Sequence, residues 1–323
     1  MPEPGSAPPV VLAEVVRSGF VEGVHRGSLV VLDPDGVVVL ARGDVVSPVF
    51  PRSTTKLMQA TGLVELGYPE HDELLALAAA SHSGEPFHVE GVARILARAG
   101  LDESALRTPA EWPLGAHAML DHVRSGGSPS PALMNCSGKH AAMLSTCVQR
   151  GWPLDDYRDA LHPLQVHLAA TIARLAGEPV AATGVDGCGA PVSAISLTGL
   201  ARAYSAAVQA PPGSAERVVA GAMRAHPAHV AGTDRDVTAF MRGVPGLLVK
   251  DGAEGLYAGA LADGHAFALK IDDGAERPRP LLVSAVLRRL GVTADVLDAY
   301  RTAPLLGGGV PVGEVRVPAA LLG

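Results

Sequence analysis

Cysteine is scarce in this chain, three residues among 323, so no disulfide framework holds it together. A chain of that length can bury a core large enough to fold without one. Lysine is scarcer than its role would suggest: only Lys56, Lys139, Lys250 and Lys270 occur, against 22 arginines. Positive charge is therefore met by Arg in general. Where Lys persists, the property that Arg lacks is an amine that can give up its proton. Long apolar runs are also missing. Gly, Pro, Asp or Arg interrupts each one well before the ~20 residues of a membrane span, so no membrane partner is expected. No Lys/Arg-rich run accompanies the net charge of −7, which excludes a nucleic-acid groove and leaves a small polar molecule as the expected ligand. The first residues lack a basic segment followed by an apolar one, and the expected location is the cytoplasm.

The apolar pattern changes twice along the chain. The first nine residues are Pro-rich and expected to be frayed. Residues 10–16 and 28–42 are rich in Val and Leu, with Asp33-Pro34-Asp35-Gly36 as a turn, and read as antiparallel strands. Helical spacing then dominates, in segments 53–66, 73–80, 88–99, 137–149, 162–176 and 214–225. Strand character returns at 246–250, 256–261 and 266–271, followed by helices near 281–290 and 294–301 and a strand near 313–317. The expected class is α+β: a mainly antiparallel sheet from N- and C-terminal strands, helices packed on it, and an inserted α-helical subdomain. One domain over 10–323 is expected, with an α/β part at about 10–66 and 230–323 and a helical part at about 67–229.

Within this frame Ser53-Thr54-Thr55-Lys56 opens a helix and puts a hydroxyl and an amine on one face. A serine needs a base to become a nucleophile, and a buried lysine at a helix start can serve as one. Ser81-His82-Ser83 ends a helical run, and Lys250-Asp251-Gly252 ends a strand. The order matches penicillin-binding proteins and serine β-lactamases, which carry Ser-x-x-Lys, Ser-x-Asn and Lys-Thr/Ser-Gly. The altered second and third motifs argue against β-lactam chemistry. A second cluster comprises Asn135-Cys136-Ser137-Gly138-Lys139-His140 and Asp186-Gly187-Cys188. Its two thiols and a lysine suit either a soft divalent ion or a packed, reduced pair; Cys147 reads as core.

Taken together, these strings resemble the rhizobial-type, thermolabile L-asparaginases, also called the asparaginase II family, over nearly the whole chain. The resemblance implies a serine β-lactamase-like fold, a homodimer, hydrolysis of L-asparagine to L-aspartate and ammonia, and a zinc ion near the substrate without an organic cofactor. By motif, Ser53 with Lys56 and Ser81 with Lys250 are the catalytic pairs, Cys136, Lys139 and Cys188 the zinc ligands, and Asp186 a substrate contact. Arg52, His82, Asn135 and His140 are further substrate-binding candidates, Arg52 as a partner for the α-carboxylate. The expected mechanism is an acyl-enzyme on Ser53, with Ser81 and Lys250 relaying a proton to ammonia. A glutaminase, an esterase-like relative and a non-catalytic amide sensor are the alternatives.

If Lys250 serves as an amine and not merely as a charge, Lys250→Arg should cost nearly as much turnover as Lys250→Ala. Near-wild-type ammonia release by a folded Lys250→Arg enzyme would show that a positive charge is enough.

Overall fold

The computed structural model describes residues 7–323; most of the Pro-rich start lies outside the described residues. The strands, in chain order, are β1 (Val10–Arg17), β2 (Phe20–Leu32), β3 (Val38–Arg42), β4 (Ala182–Val185), β5 (Pro191–Ala194), β6 (Leu248–Gly252), β7 (Leu256–Ala260), β8 (Ala266–Ile271), β9 (Thr302–Gly307) and β10 (Val310–Arg316). The helices are α1 (Lys56–Glu65), α2 (Asp72–Ala78), α3 (Pro86–Arg98), α4 (Ala116–Arg124), α5 (Ser137–Arg150), α6 (Pro163–Ala176), α7 (Leu197–Gln209), α8 (Ala215–Ala225), α9 (Pro227–Val230), α10 (Asp236–Gly243) and α11 (Arg279–Arg289). The class is α+β, as expected, and the chain divides into two compact units.

The first unit comprises residues through Thr54, Ile195–Gln209 and Ala239–Gly323. Its antiparallel sheet runs β6-β7-β8-β2-β1-β10-β9, with β3 also paired to β2. Strands β6 and β7 are buried at every position, which is why they read as continuous apolar runs instead of alternating ones. Helices α7 and α11 pack on β7 and β8. The expected turn at Asp33–Gly36 joins β2 to β3: the Asp33 carboxylate accepts the N–H groups of Asp35 (3.0 Å) and Val37 (2.8 Å).

The second unit comprises Thr55–Ala194 and Ala210–Thr238 and is mainly helical. Helix α1 is buried from Lys56 to Leu63, so it is enclosed on all sides; α5, α6 and α8 pack around it. Helix α4 differs from all of these, since none of its residues is buried. Strands β4 and β5 form a separate hairpin.

The observed boundaries depart from the expected ones. The α1 residues 56–65 belong to the helical unit, and α7, expected in the helical part, belongs with the sheet. The run at 294–301 is a 3-10 helix, Asp295–Tyr300, and β9 was not expected at all. No helix among the described residues is long and apolar enough to cross a membrane.

The close approach of α5 to α2 rests on Gly138, where a β-carbon would lie 2.5 Å from the Leu77 carbonyl oxygen and 2.7 Å from the Leu77 side chain. Backbone cannot yield there. Gly138→Ala should therefore destabilise the fold by about 1–3 kcal/mol. Gly221→Ala in α8, where a β-carbon meets open space, should be neutral or stabilising by up to about 1 kcal/mol. Urea midpoints measure both, and equal midpoints for the two variants would contradict the tight α2–α5 contact.

Candidate active site

In the helical unit, the side chain that draws others together is Lys56, the first residue of α1 and only 1% exposed. Its Nζ donates to the Ala80 carbonyl oxygen, to Ser81 Oγ at 2.9 Å and to Cys136 Sγ at 3.0 Å. The acceptors come from the segment after α2 and the residue before α5. That segment is tied down on two sides: the Ser81 N–H donates to the Val230 carbonyl (2.9 Å), and the His82 N–H to the Asn135 carbonyl (3.0 Å). Ser83 Oγ donates to the Ala231 carbonyl at 2.9 Å. The Ser81-His82-Ser83 motif thus has one hydroxyl on Lys56 and another fixing the backbone beside it.

His82, expected at the substrate, is turned inward and fully buried. The Gly84 N–H donates to its Nδ1 at 3.2 Å, so the ring proton sits on Nε2 and donates to Ser137 Oγ at 2.8 Å. Ser137 passes the chain on by donating to the Ala132 carbonyl at 2.7 Å. Neither ring nitrogen is left for a ligand. Burial, followed by His88 and Lys56, holds the imidazole well below its usual pKa. His88 stacks on it at 5.0 Å and is itself lowered to about 4, chiefly by burial.

The second cluster also assembles within this unit. Cys136 and Cys188 pack with Met134 and Ala190, and all three cysteines of the chain are free thiols. Cys188 sits in the loop between β4 and β5, closed by the Asp186 N–H donating to the Ala190 carbonyl (2.9 Å) and by Gly189 at a φ of +82°. Lys139 Nζ donates to Cys188 Sγ at 3.4 Å, and Cys136 Sγ to Asn135 Oδ1 at 3.0 Å. The Cys136 thiol, facing the Cys188 sulfur and buried, is pushed up, whereas the Cys188 sulfur is pulled down by Cys136 and then by Lys139. Burial opposes the Lys139 ammonium, but the two sulfurs and Asp186 outweigh it and raise its pKa. Asp186 is half-buried and near enough to act on Lys139 through its charge. Asn135 is used by Cys136, and His140 is fully buried against Tyr157.

Two buried sulfurs and an amine make a donor set that suits a soft divalent ion. Among the described residues no group of three or more His, Cys, Asp or Glu side chains gathers around a metal position.

The sheet unit carries the other candidates. Ser53 lies in a 3-10 turn, Arg52–Thr55, that leads directly into α1. Thr54 anchors this turn, its N–H (3.3 Å) and hydroxyl (2.6 Å) donating to the Pro51 carbonyl while Tyr204 donates to the Thr54 carbonyl at 2.8 Å. Ser53 is half-buried, and its hydroxyl makes no hydrogen bond among the described residues. Arg52, at a left-handed φ of 54°, lies 3.8 Å from Glu254. Lys250, fully buried on β6, donates to the Asp251 carbonyl at 2.9 Å and pairs with the Asp251 carboxylate. Asp251 was not expected as a functional group, although the Lys-Asp-Gly string placed it beside Lys250.

The model of the L-asparaginase II family matches residues 13–317. Comparison with curated proteins gives no match. Among solved structures, Mglu in its native form is 12% identical, with 83% of this chain and 65% of that one covered and a TM-score of 0.49. The chain thus spans about two thirds of the length of Mglu. A β-lactamase from Mycobacterium bovis is 13% identical, with 82% and 95% covered and a TM-score of 0.43.

The buried histidines set the acid limit of the helical unit. Below about 6.5 the unfolded chain takes up protons that His88 and His82 refuse when folded. Folding stability should therefore be full above that pH and fall as pH drops towards 4, by about 3 kcal/mol for His88. Denaturant unfolding at pH 7, 5.5 and 4.5 measures the slope, and His88→Gln should flatten it. An unchanged slope in a folded His88→Gln protein would place the cause elsewhere.

Proposed function

The chain belongs to the L-asparaginase II family, and from that premise we propose that it hydrolyses the side-chain amide of L-asparagine to L-aspartate and ammonia through a serine acyl-enzyme. The observation that carries this reading is the buried amine of Lys56 held 2.9 Å from Ser81 Oγ. A lysine amine on a serine hydroxyl is an acid–base pair able to move a proton in either direction.

Ser53 is the proposed nucleophile. Ser53 is half-buried and its hydroxyl makes no hydrogen bond among the described residues, whereas Ser81 is 6% exposed and engaged by Lys56. Ser53 precedes Lys56 by one helical turn in the chain. Lys56 takes the Ser53 proton as Oγ bonds to the amide carbon. The carbon–nitrogen bond then breaks, the nitrogen receives a proton by way of Ser81 and leaves as ammonia, and Ser53 carries an aspartyl ester. Water adds to that ester, aspartate departs and Ser53 regains its proton. Lys250, the other buried catalytic amine, is assigned to proton transfer towards ammonia, with Asp251 fixing its position. Arg52 is assigned to the substrate α-carboxylate and Asp186 to a substrate contact.

Cys136, Cys188 and Lys139 would hold a zinc ion, whose contribution when bound is Lewis-acid contact that orients the substrate. Three free thiols agree with a reducing compartment, and we assign the protein to the cytoplasm as a homodimer.

Ammonia release from L-asparagine and L-glutamine by the wild type, Ser53→Ala, Ser81→Ala and Lys56→Ala tests the reading. Asparagine should be the better substrate. Ser53→Ala and Lys56→Ala should each lower kcat by about three orders of magnitude, and the double variant by no more, since the two act as a unit. Near-normal release by folded Ser53→Ala together with an inactive Ser81→Ala would move the nucleophile to Ser81. Preference for glutamine would remove the substrate assignment.

A further inference from the structure

Inside the helical unit a small pocket, about 330 Å³ with its mouth included, opens between α6, the β4–β5 hairpin and α1 at Gln59. Leu168 and Ile172 of α6 and Pro191 of β5 supply its apolar wall. None of its lining residues belongs to the catalytic or metal set assigned above. Three of them are polar and at least nine-tenths buried: Gln59 (5% exposed), Gln165 (4%) and Ser193 (5%). The orientation of the Gln165 carboxamide is fixed, because its Nε2 donates to the Tyr157 carbonyl at 2.7 Å and to the Met143 sulfur at 3.6 Å. Both N–H groups are used there, which leaves Oε1. That oxygen, the Gln59 carboxamide and the Ser193 hydroxyl make no hydrogen bond among the described residues. None of the three is sealed into the packing either, so the surface they keep is surface of the pocket. Buried polar groups without partners cost stability, and packing against Leu168 and Ile172 does not call for them.

We propose that this pocket is a second ligand site, for a small uncharged molecule with a primary carboxamide on a short aliphatic chain. Gln165 Oε1 is an acceptor only, Ser193 Oγ can accept or donate, and Gln59 offers one of each. A primary carboxamide matches that set: its two N–H groups meet Gln165 and Ser193, and its oxygen meets Gln59 Nε2. A simple alcohol brings one donor against two waiting acceptors. The aliphatic chain then lies on Leu168, Ile172 and Pro191. No Asp, Glu, Lys, Arg or His lines the pocket, so a carboxylate or an ammonium would give up its water with no counter-charge to replace it. A free amino acid is thereby disfavoured, and the site differs in ligand class from the one proposed for L-asparagine. It does not depend on the amidohydrolase reading.

Propionamide is the probe and propionate its charged counterpart of the same shape. The Gln59 side-chain N–H signals of ¹⁵N-labelled protein, identified by their loss in Gln59→Met, report the site. Propionamide should move them with a Kd of about 10 mM or tighter, and propionate should bind at least about tenfold more weakly. Unmoved signals, or equal binding of the two probes, would overturn the proposal. Gln59→Met keeps the shape and drops the amide. It should raise the urea midpoint of the protein alone, lose the further rise that propionamide gives the wild type, and keep ammonia release from L-asparagine within about twofold. A lowered midpoint in Gln59→Met would show that Gln59 serves the fold and would overturn the ligand role. If Gln59→Met does not fold, Ser193→Ala decides: it should weaken propionamide by about fivefold on the same Gln59 signals, and unchanged affinity would overturn the site. A wild type that releases no ammonia from L-asparagine would remove the substrate assignment of the preceding section, and the propionamide titration would still decide this one.

Discussion

A lysine amine sealed inside a helical bundle sets the terms for its surroundings. Burying such a polar group costs several kcal/mol unless acceptors replace the water. Lys56 meets three: the Ala80 carbonyl, Ser81 Oγ and Cys136 Sγ. Each belongs to a segment that must then be fixed. The Ser81–Ser83 stretch hangs from Val230, Ala231 and Asn135 by hydrogen bonds, and Gly138 lets the start of α5 close on Leu77 so that Cys136 arrives at the amine. The bundle is thus organised around a polar contact, with the aliphatic core packed to suit it.

The hydrogen bonds run outward from this centre in defined directions. Gly84 to His82 to Ser137 to Ala132 is one line, and Arg107 to Tyr157 to His140 is another. In the first, the Gly84 N–H on Nδ1 puts the His82 proton on Nε2, and His82 thereby holds the first turn of α5 through Ser137.

Much of the fold was legible because period and punctuation agree: the six helical segments and the Asp33–Gly36 turn each correspond to an observed element. What failed has a physical reason. Helix α7 looks from its sequence like the Ala-rich helices around it, and only tertiary packing assigns it to the sheet. Strand β9 is interrupted by Pro304 and ends in a run of glycines, as an edge strand can, which hides its period. At the site, Ser53, Lys56, Ser81, Lys250 and the two thiols stand out by residue type and local string. The partner of a buried amine does not, because Lys56 reaches Ser81 across 25 residues of sequence. His82 is a substrate-binding candidate on its neighbours alone; sequence shows an imidazole among functional residues, not that Gly84 and Ser137 engage both of its nitrogens.

Three of the four lysines are 2% exposed or less, and the fourth, Lys270, is half-buried with its amine on the Ile271 carbonyl. The outer surface is consequently almost bare of reactive side-chain amines. Acylating reagents, reducing sugars and enzymes that acetylate or conjugate lysine find little to act on, since the guanidinium groups that carry the surface charge are inert to them. An adduct on Lys56, Lys139 or Lys250 would therefore report that the fold had opened.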